Sequence, residues 1–284
     1  MMRTAAIAIS LALVAVAPVS SQTDREPAST ELLARIGQFV TETYGRARTI
    51  VSRETVRLQP LDAALQPAAN WRLLVYELRI EWVPGSTGRV DPVLARRSVK
   101  TSGTLAGTAR EPECFDPKDA SLAPLAMLLP ENQMAFTFTM ARNHDRRAAA
   151  ALIDFKPVSA EDPTVSWRGP CATIELNGRR HGRIWFDTTT DTVVRIDEAL
   201  DSPFQFVMPA NVLAHREPTS QTIDRFETSI TYKPVKFRDP DETLMLPQSV
   251  RTLSVIYNGG VPRLLTVHSF DEYRRFFTAG RVVK

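Results

Sequence analysis

The stretch that decides the fold is residues 171–200, CATIELNGRRHGRIWFDTTTDTVVRIDEAL. Ile174 and Leu176 alternate with polar residues, as they do in a strand that buries one face. Asn177 and Gly178 then supply a pair that readily adopts positive φ. The first half of the stretch therefore predicts a strand that runs into a hairpin turn.

The second half of the stretch predicts two more strands. The apolar run at residues 184–186 begins the strand that returns from the hairpin. Residues 187–191, DTTTD, carry side chains that bond their own backbone, which is typical of a turn. A third strand opens with residues 193–196, VVRI. The three strands predict an antiparallel meander, with further sheet laid beside it.

Alternation with a period of two predicts other strands along the chain. The clearest case is residues 226–232, in which Phe226, Ile230 and Tyr232 share one face. The remaining predicted strands cover residues 50–58, 71–83, 89–107 as a pair, 134–140, 148–158, 203–209, 246–257 and 263–270. Residues 210–222 are predicted to be a polar loop. No repeat or linker divides the chain, which predicts a single domain over residues 22–284.

Two helices are predicted among the strands. Ser29 or Thr30 can cap a helix that ends near Gly45. Its apolar positions follow the 3.6-residue period of one helix face, at Leu32, Leu33, Ile36, Phe39, Val40 and Tyr44. A shorter helix is predicted at residues 121–129, where Pro130 would stop it.

Residues 1–21 have the features of a secretory signal peptide. Arg3 precedes an apolar run at residues 5–17, and residues 19–21 offer small side chains for cleavage. The run is shorter than the roughly 20 residues that a membrane-spanning helix needs, although a retained N-terminal anchor is the alternative. No other segment is apolar enough to span, and no cysteine near the cleavage point could carry a lipid. We expect a soluble protein that is periplasmic or secreted.

Charge and cysteine content narrow the class of protein. The chain has 35 basic and 32 acidic residues, a balance that argues against binding nucleic acid. Cys114 and Cys171 would meet an oxidising compartment, which favours one disulfide over two separate buried thiols. Such a bridge would stabilise the fold by at most about 4 kcal/mol. Neither cysteine has a Cys or His partner at ligand spacing, so no metal site is expected.

The sequence lacks familiar catalytic motifs. It has no G-x-S-x-G, H-E-x-x-H or C-x-x-C motif and no glycine-rich phosphate loop. The four histidines fall in separate segments beside predicted loops or turns: His144, His181, His215 and His268. An active site would need Glu54, Glu77 and His268 to converge, which no spacing in the sequence indicates. We therefore expect a binding protein and not an enzyme, with no cofactor.

The densest basic cluster lies at the predicted hairpin tip. It consists of Arg179, Arg180 and Arg183, with His181 between them. Exposed arginines bind phosphate through two parallel hydrogen bonds, so the three are candidates to contact a lipid headgroup or an acidic partner. A loop that only keeps the protein soluble is the alternative.

The order of these elements, with the pattern G-x-I-W-x-D-x-x-T-x-x-V-x-R at residues 182–195, resembles the LolA/LolB-like periplasmic lipoprotein carriers. CFDP at residues 114–117, LMLPQSV at 244–250 and HSFDEYRRF at 268–276 are similar to runs in a group of secreted bacterial proteins of this type. The resemblance implies an α+β fold with a single antiparallel, strongly curved sheet. This unclosed half-barrel would carry an N-terminal helix and a short mid-chain helix on its concave side.

The resemblance also implies a hydrophobic cavity that receives the acyl chains of a lipid or an acylated protein. A strongly curved sheet can enclose such a space beneath its apolar face. The candidate lining residues are Ile36, Phe39, Leu78, Ile80, Trp82, Phe136, Phe138, Ile184, Phe186, Phe226, Ile230 and Tyr232. Core packing of the same residues is the alternative, and it would leave a cell-envelope protein-interaction module of the same fold. The sequence indicates no oligomeric state.

Overall fold

The computed structural model describes residues 26–47, 50–68, 70–84, 90–98, 124–141, 150–168, 171–176, 178–208, 219–258 and 262–275. Its helices are α1 (Thr30–Arg46), a 3₁₀ helix (Pro124–Leu128) and the one-turn α2 (Pro130–Gln133). Its strands are β1 (Ile50–Pro60), β2 (Arg72–Pro84), β3 (Val90–Ser98), β4 (Phe136–Met140), β5 (Ala150–Pro157), β6 (Thr164–Arg168), β7 (Cys171–Glu175), β8 (Arg180–Asp187), β9 (Thr192–Leu200), β10 (Phe204–Met208), β11 (Thr219–Arg238), β12 (Asp241–Tyr257) and β13 (Arg263–Arg275).

Eleven strands form one antiparallel sheet in the order β3-β2-β1-β13-β12-β11-β9-β8-β5-β4, with β10 pairing to β11 beside this path. The path ends at β3 and β4, so the sheet is not closed. Residues just before α1 run along β4, where the Ala28 amide donates to the Phe138 carbonyl (3.0 Å). The helices cover the concave side. The predicted α+β half-barrel is therefore confirmed.

Helix α1 begins where its sequence supplies a cap. The Ser29 hydroxyl accepts a hydrogen bond from the Leu32 amide at 3.2 Å, which satisfies one of the free N–H groups of the first turn. The buried face carries Ile36, Val40 and Tyr44, as the helical period predicts. Gln133 of α2 donates to the Leu33 carbonyl (2.9 Å) and so joins the two helices.

The main core lies between these helices and the concave face of the sheet. Every second residue of the central strands points into it, because strand side chains alternate between faces. Ile153, Ile184, Ile196 and Ile230, from β5, β8, β9 and β11, are fully buried there. Burying one such side chain contributes about 1.5–3 kcal/mol, so this layer holds the sheet and α1 together.

The predicted meander is wrong in its first strand. The turn itself forms, since Gly178 has φ +82° and the Arg179 amide donates to the Leu176 carbonyl at 2.9 Å. The strands on either side of it lie in different sheets: β7 pairs with β6, and β8 pairs with β5 and β9. Only residues 169–170 separate β6 from β7, so this neighbouring strand reaches β7 first. The second predicted turn, between β8 and β9, is confirmed.

Two further predictions of secondary structure need correction. The polar loop predicted at residues 210–222 gives way at Thr219 to β11, which pairs with β12 from Asp241 onward as one long hairpin. The predicted strand start at residue 246 was therefore too late. The mid-chain 3₁₀ helix ends at Leu128, ahead of Pro130 as predicted; the separate α2 starts at Pro130, because the first helical position needs no N–H donor.

Some predictions fall outside the described residues. These include the signal peptide, Cys114 with its CFDP run, and residues 99–107 of the predicted strand pair. The structure places Cys171 in β7 and both Ile80 and Trp82 in β2, but it describes only the backbone of these three residues. The disulfide and the signal peptide thus stay predictions. Within the described ranges, no helix has the length and hydropathy needed to cross a membrane.

Two candidate binding grooves on opposite faces of the sheet

The structure brings most of the predicted cavity-lining residues together. Seven of them are buried in the main core: Ile36, Leu78, Phe138, Ile184, Phe186, Ile230 and Tyr232. Phe39 and Phe136 are partly buried and pack against that core. Phe226 is half-buried and lies outside the cluster.

These residues pack against one another, with Ile36, Ile184, Phe186 and Ile230 at zero exposure. One polar atom is out of place among them. The Tyr232 hydroxyl is buried and has no hydrogen-bond partner in the described part of the chain. Burial raises the pKa of the Tyr232 phenol well above its ordinary value, with a further contribution from Tyr44. The phenol therefore stays neutral.

An apolar groove opens beside the packed core, where α1 faces two turns of the sheet. We call it the α1 groove. It measures about 450 Å³ and is lined by Phe39, Glu42, Thr43, Arg46, Asp187, Thr190, Thr192, Val194, Pro234, Thr243, Leu244 and Met245. Phe39 and Met245 also pack against the main core, and Leu244 belongs to a smaller cluster with Ile50 and Phe237. The groove therefore lies where two apolar clusters meet.

The rim of the α1 groove is polar. Glu42 and Arg46 form an ion pair one helical turn apart (3.2 Å). On the opposite side, Asp187 accepts hydrogen bonds from the Thr189 and Thr190 amides at 2.8 and 3.3 Å. These backbone donors lower the pKa of the Asp187 carboxyl from its ordinary value, so it is charged at neutral pH.

Helix α1 is tied to the sheet at both ends of the groove. Arg35 forms an ion pair with Asp191 and donates to the Thr188 carbonyl (3.1 Å). At the other end, Arg275 of β13 donates to the Arg46 carbonyl (2.6 Å), which satisfies a free acceptor of the last helical turn. These contacts hold α1 against the sheet.

A second groove crosses the face of the sheet on which none of the described helices lies. We call it the polar groove. It measures about 1140 Å³ and crosses β4, β5, β8, β9, β11 and β12. One row of paired positions runs along its floor, from Asp154 through Arg183, Asp197 and Ser229 to Arg251. Carboxylates and guanidinium groups alternate along most of this row.

The charged side chains of the polar groove are held in place by their neighbours. Arg183 Nε donates to Asp154 Oδ1 (2.6 Å), and this bond raises the pKa of the arginine against the opposing effect of its partial burial. Arg195 donates to both oxygens of Asp197 (2.8 and 2.7 Å). Its guanidinium lies 4.8 Å from the centre of the Trp185 ring.

The predicted basic cluster is neutralised by ion pairs. Arg179 contacts Asp162 (2.6 Å), Arg180 contacts Glu198 (3.1 Å) and Arg183 contacts Asp154 (2.6 Å). The sequence did not reveal these partners because they lie on other strands or in a loop. A role for the three arginines in headgroup or partner contact stays a prediction.

Two of the three polar residues considered for an active site do converge. Glu54 of β1 and His268 of β13 are almost fully buried, and Glu54 Oε1 lies 2.7 Å from His268 Nδ1. Glu77 lies apart and contacts Arg274 at 3.5 Å. Neither Glu54 nor His268 lines either groove. Among the described residues, no group of His, Cys, Asp and Glu side chains could hold a metal ion.

No protein-family model matches the chain, and no curated protein is similar to it. Solved structures are similar to it, and two of them follow. A LolA superfamily protein from Nitrosomonas europaea matches 87% of this chain and 97% of its own at 8% identity and a TM-score of 0.37. For a DUF1329 family protein from Desulfovibrio piger, the match covers 89% of this chain and 92% of that protein, at 7% identity and a TM-score of 0.40. The likeness is distant, so what the chain binds must be judged from its own side chains.

Neither groove was predicted from the sequence. Each is assembled from strands far apart in the chain, such as β5 and β12 for the polar groove. The available signals were indirect. Val194 and Met245 line the α1 groove, but they lie in segments where the alternation of apolar and polar residues is not the clearest. In the polar groove, charges alternate from one strand to the next and not along a single strand.

Proposed function

We propose that the protein binds the acyl chain of a lipid or an acylated protein in the α1 groove. The observation that carries this proposal is a groove whose floor is apolar and continuous with the core through Phe39 and Met245, while its rim is polar. Its volume of about 450 Å³ falls within the roughly 300–1,000 Å³ typical of ligand pockets.

The chemistry of the groove favours an acyl chain over a polar ligand. Phe39, Val194, Leu244 and Met245 give the groove an apolar part of its lining, against which each buried methylene group of an acyl chain would contribute about 0.8 kcal/mol. The Glu42–Arg46 pair and Asp187 lie where the chain would emerge, and they suit a polar headgroup or a peptide link.

A titration with a fluorescent fatty acid tests this function. We expect saturable binding by the unchanged protein and at least tenfold weaker binding by Val194→Glu, because an unpaired carboxylate would enter the apolar floor. Val207→Glu is the matched control, since Val207 is 59% exposed on β10, away from the groove. Equal binding by both variants, or no saturable binding by the unchanged protein, would contradict the proposal.

A protein-interaction module of the cell envelope is the second candidate. The observation that favours it is the packed state of the predicted lining residues, seven of which lie in one buried cluster. Mass spectrometry of lipids that co-purify with the protein from its native envelope separates the two candidates. A stoichiometric lipid supports the carrier, and protein free of lipid supports the module.

We also propose that the protein is exported to the periplasm or secreted, as residues 1–21 predict. N-terminal sequencing of the exported protein should start near Gln22, whereas a start at Met1 or an acylated start would contradict export. In the same sample, peptide mapping without reduction should recover Cys114 joined to Cys171. Free thiols at both positions would reject the disulfide.

A further inference from the structure

The polar groove is open, large and lined by side chains, and the proposed acyl site does not use it. Its strands β5, β8, β9, β11 and β12 are each paired on both sides, and residues 26–28 run along the outer edge of its last strand, β4. Their backbone N–H and C=O groups are therefore committed to the sheet. A peptide that binds by adding a strand needs a free edge, which this floor does not offer. A ligand here must be recognised by side chains.

The charges of the polar groove nearly cancel. Its lining includes four cations, Lys156, Arg183, Arg195 and Arg251, and five carboxylates, Asp154, Asp197, Glu198, Asp201 and Glu227. Such a lining gives no strong field of either sign. It therefore does not match a polyanion such as nucleic acid or an anionic membrane surface, whose affinity comes from many like-signed contacts.

The ion pairs along the floor leave hydrogen-bonding capacity in place. A guanidinium carries five N–H donors, and Arg183 uses one of them on Asp154 while Arg195 uses two on Asp197. Because these partners already fix both side chains, a ligand would lose little affinity to ordering them. The Trp185 ring, which lies under the Arg195 guanidinium, also lines the groove.

The row from Asp154 to Arg251 crosses four strand spacings, or roughly 19 Å. It alternates acceptors and donors across that length, with Ser229 between Asp197 and Arg251. Neighbouring hydroxyl groups of a sugar chain each donate and accept, so they match such an alternation without bringing a charge. We propose that the polar groove is a second binding site, for a hydroxyl-rich and nearly uncharged chain with the chemistry of an oligosaccharide.

Calorimetric titration tests this site with three probes, the β-1,4-linked tetrasaccharides of glucose and N-acetylglucosamine and a β-linked galactose tetrasaccharide. We expect saturable binding of at least one probe and about tenfold weaker binding by Arg251→Ala, because one hydrogen bond to a charged group is lost. Arg251 is exposed, so its removal should leave the fold intact. Arg238→Ala, at the exposed β11–β12 turn, is the matched control and should bind as the unchanged protein does.

Three results would overturn the proposal. The first is the absence of saturable binding of all three tetrasaccharides up to millimolar concentrations. The second is equal binding by Arg251→Ala and Arg238→Ala. The third is saturable binding of an uncharged Gly-Ser peptide with none of the sugars, which would make the groove a peptide site. Fatty-acid binding is measured separately, so failure here leaves the acyl site standing or falling on its own titration.

Discussion

The two faces of this sheet are built from alternate residues of the same strands, yet they differ in almost every physical respect. On β8, Ile184 and Phe186 are fully buried against α1. Arg183 and Trp185, which alternate with them along the strand, line the polar groove. One face is an apolar core sealed by helices, with the α1 groove at its margin. The other carries ion pairs and, within the part of the chain that the structure describes, no helix.

This difference separates what stabilises the fold from what the fold can bind. The concave face supplies buried apolar area, which is the main favourable term in folding. The face with the polar groove supplies ordered polar groups whose partly exposed ion pairs contribute little to stability, about 0–1 kcal/mol each. Changes on the first face should therefore be costly for stability, and changes on the second should be tolerated.

The largest expected effect comes from charging the concave face. Phe138→Asp should lower the free energy of unfolding by roughly 3–5 kcal/mol, because Phe138 is 6% exposed in the core and a carboxylate there would be unpaired. Thr137→Asp is the control on the adjacent residue, which faces the polar groove opposite Lys156. It should change stability by less than about 0.5 kcal/mol. Similar urea midpoints for both variants would contradict the claim that the concave face contributes more to stability than the face with the polar groove.

A smaller loss of stability is expected when a side chain is added at a glycine of β8. A Cβ on Gly182 would lie 2.1 Å from the Asp197 carbonyl oxygen and 2.6 Å from the Phe155 ring. Gly182→Ala should therefore destabilise the protein by about 1–3 kcal/mol. Gly45→Ala should instead stabilise it by about 0.5–1 kcal/mol, because that helical position is open to a methyl group. Thermal melts that rank the two variants the other way would contradict this account.

These positions also show how far the sequence predicts the structure. Alternation identified Ile184, Phe186, Ile230 and Tyr232 as one buried face, because burial follows the strand period directly. The sequence could not show that β8 pairs with β5 and not with β7, since both pairings are compatible with the same apolar pattern. The two grooves depend on which strands become neighbours, and so they escaped prediction.

An ion pair on the polar face should matter still less. Arg183→Met removes one partner of Asp154, whose side chain is only 15% exposed, and should cost about 1 kcal/mol after screening by solvent. Arg225→Met breaks a pair with Glu227 in which both side chains are over 40% exposed, and it should cost nearly nothing. Urea denaturation measures both. A cost for Arg183→Met as large as that for Phe138→Asp would erase the distinction between the faces.

The smallest expected effect is the loss of stability in acid that Asp187 causes. Because the pKa of Asp187 is lower in the folded protein than its ordinary value of 3.8, its charge stabilises the fold above that value. The contribution is lost as pH falls through the lower folded value. Asp187→Asn should therefore differ from the unchanged protein least in strong acid. An NMR titration in which the Asp187 carboxyl titrates at or above 3.8 would contradict the predicted direction.

The most direct test of the account is where an acyl chain binds. Three methionines report on separate places: Met245 lines the α1 groove, Met127 is buried in the core, and Met134 is 90% exposed. In protein with ¹³C-labelled methionine methyl groups, a titration with palmitate should shift the Met245 signal saturably and leave Met127 and Met134 in place. An unmoved Met245 signal, or a larger shift at Met127, would contradict binding in the α1 groove.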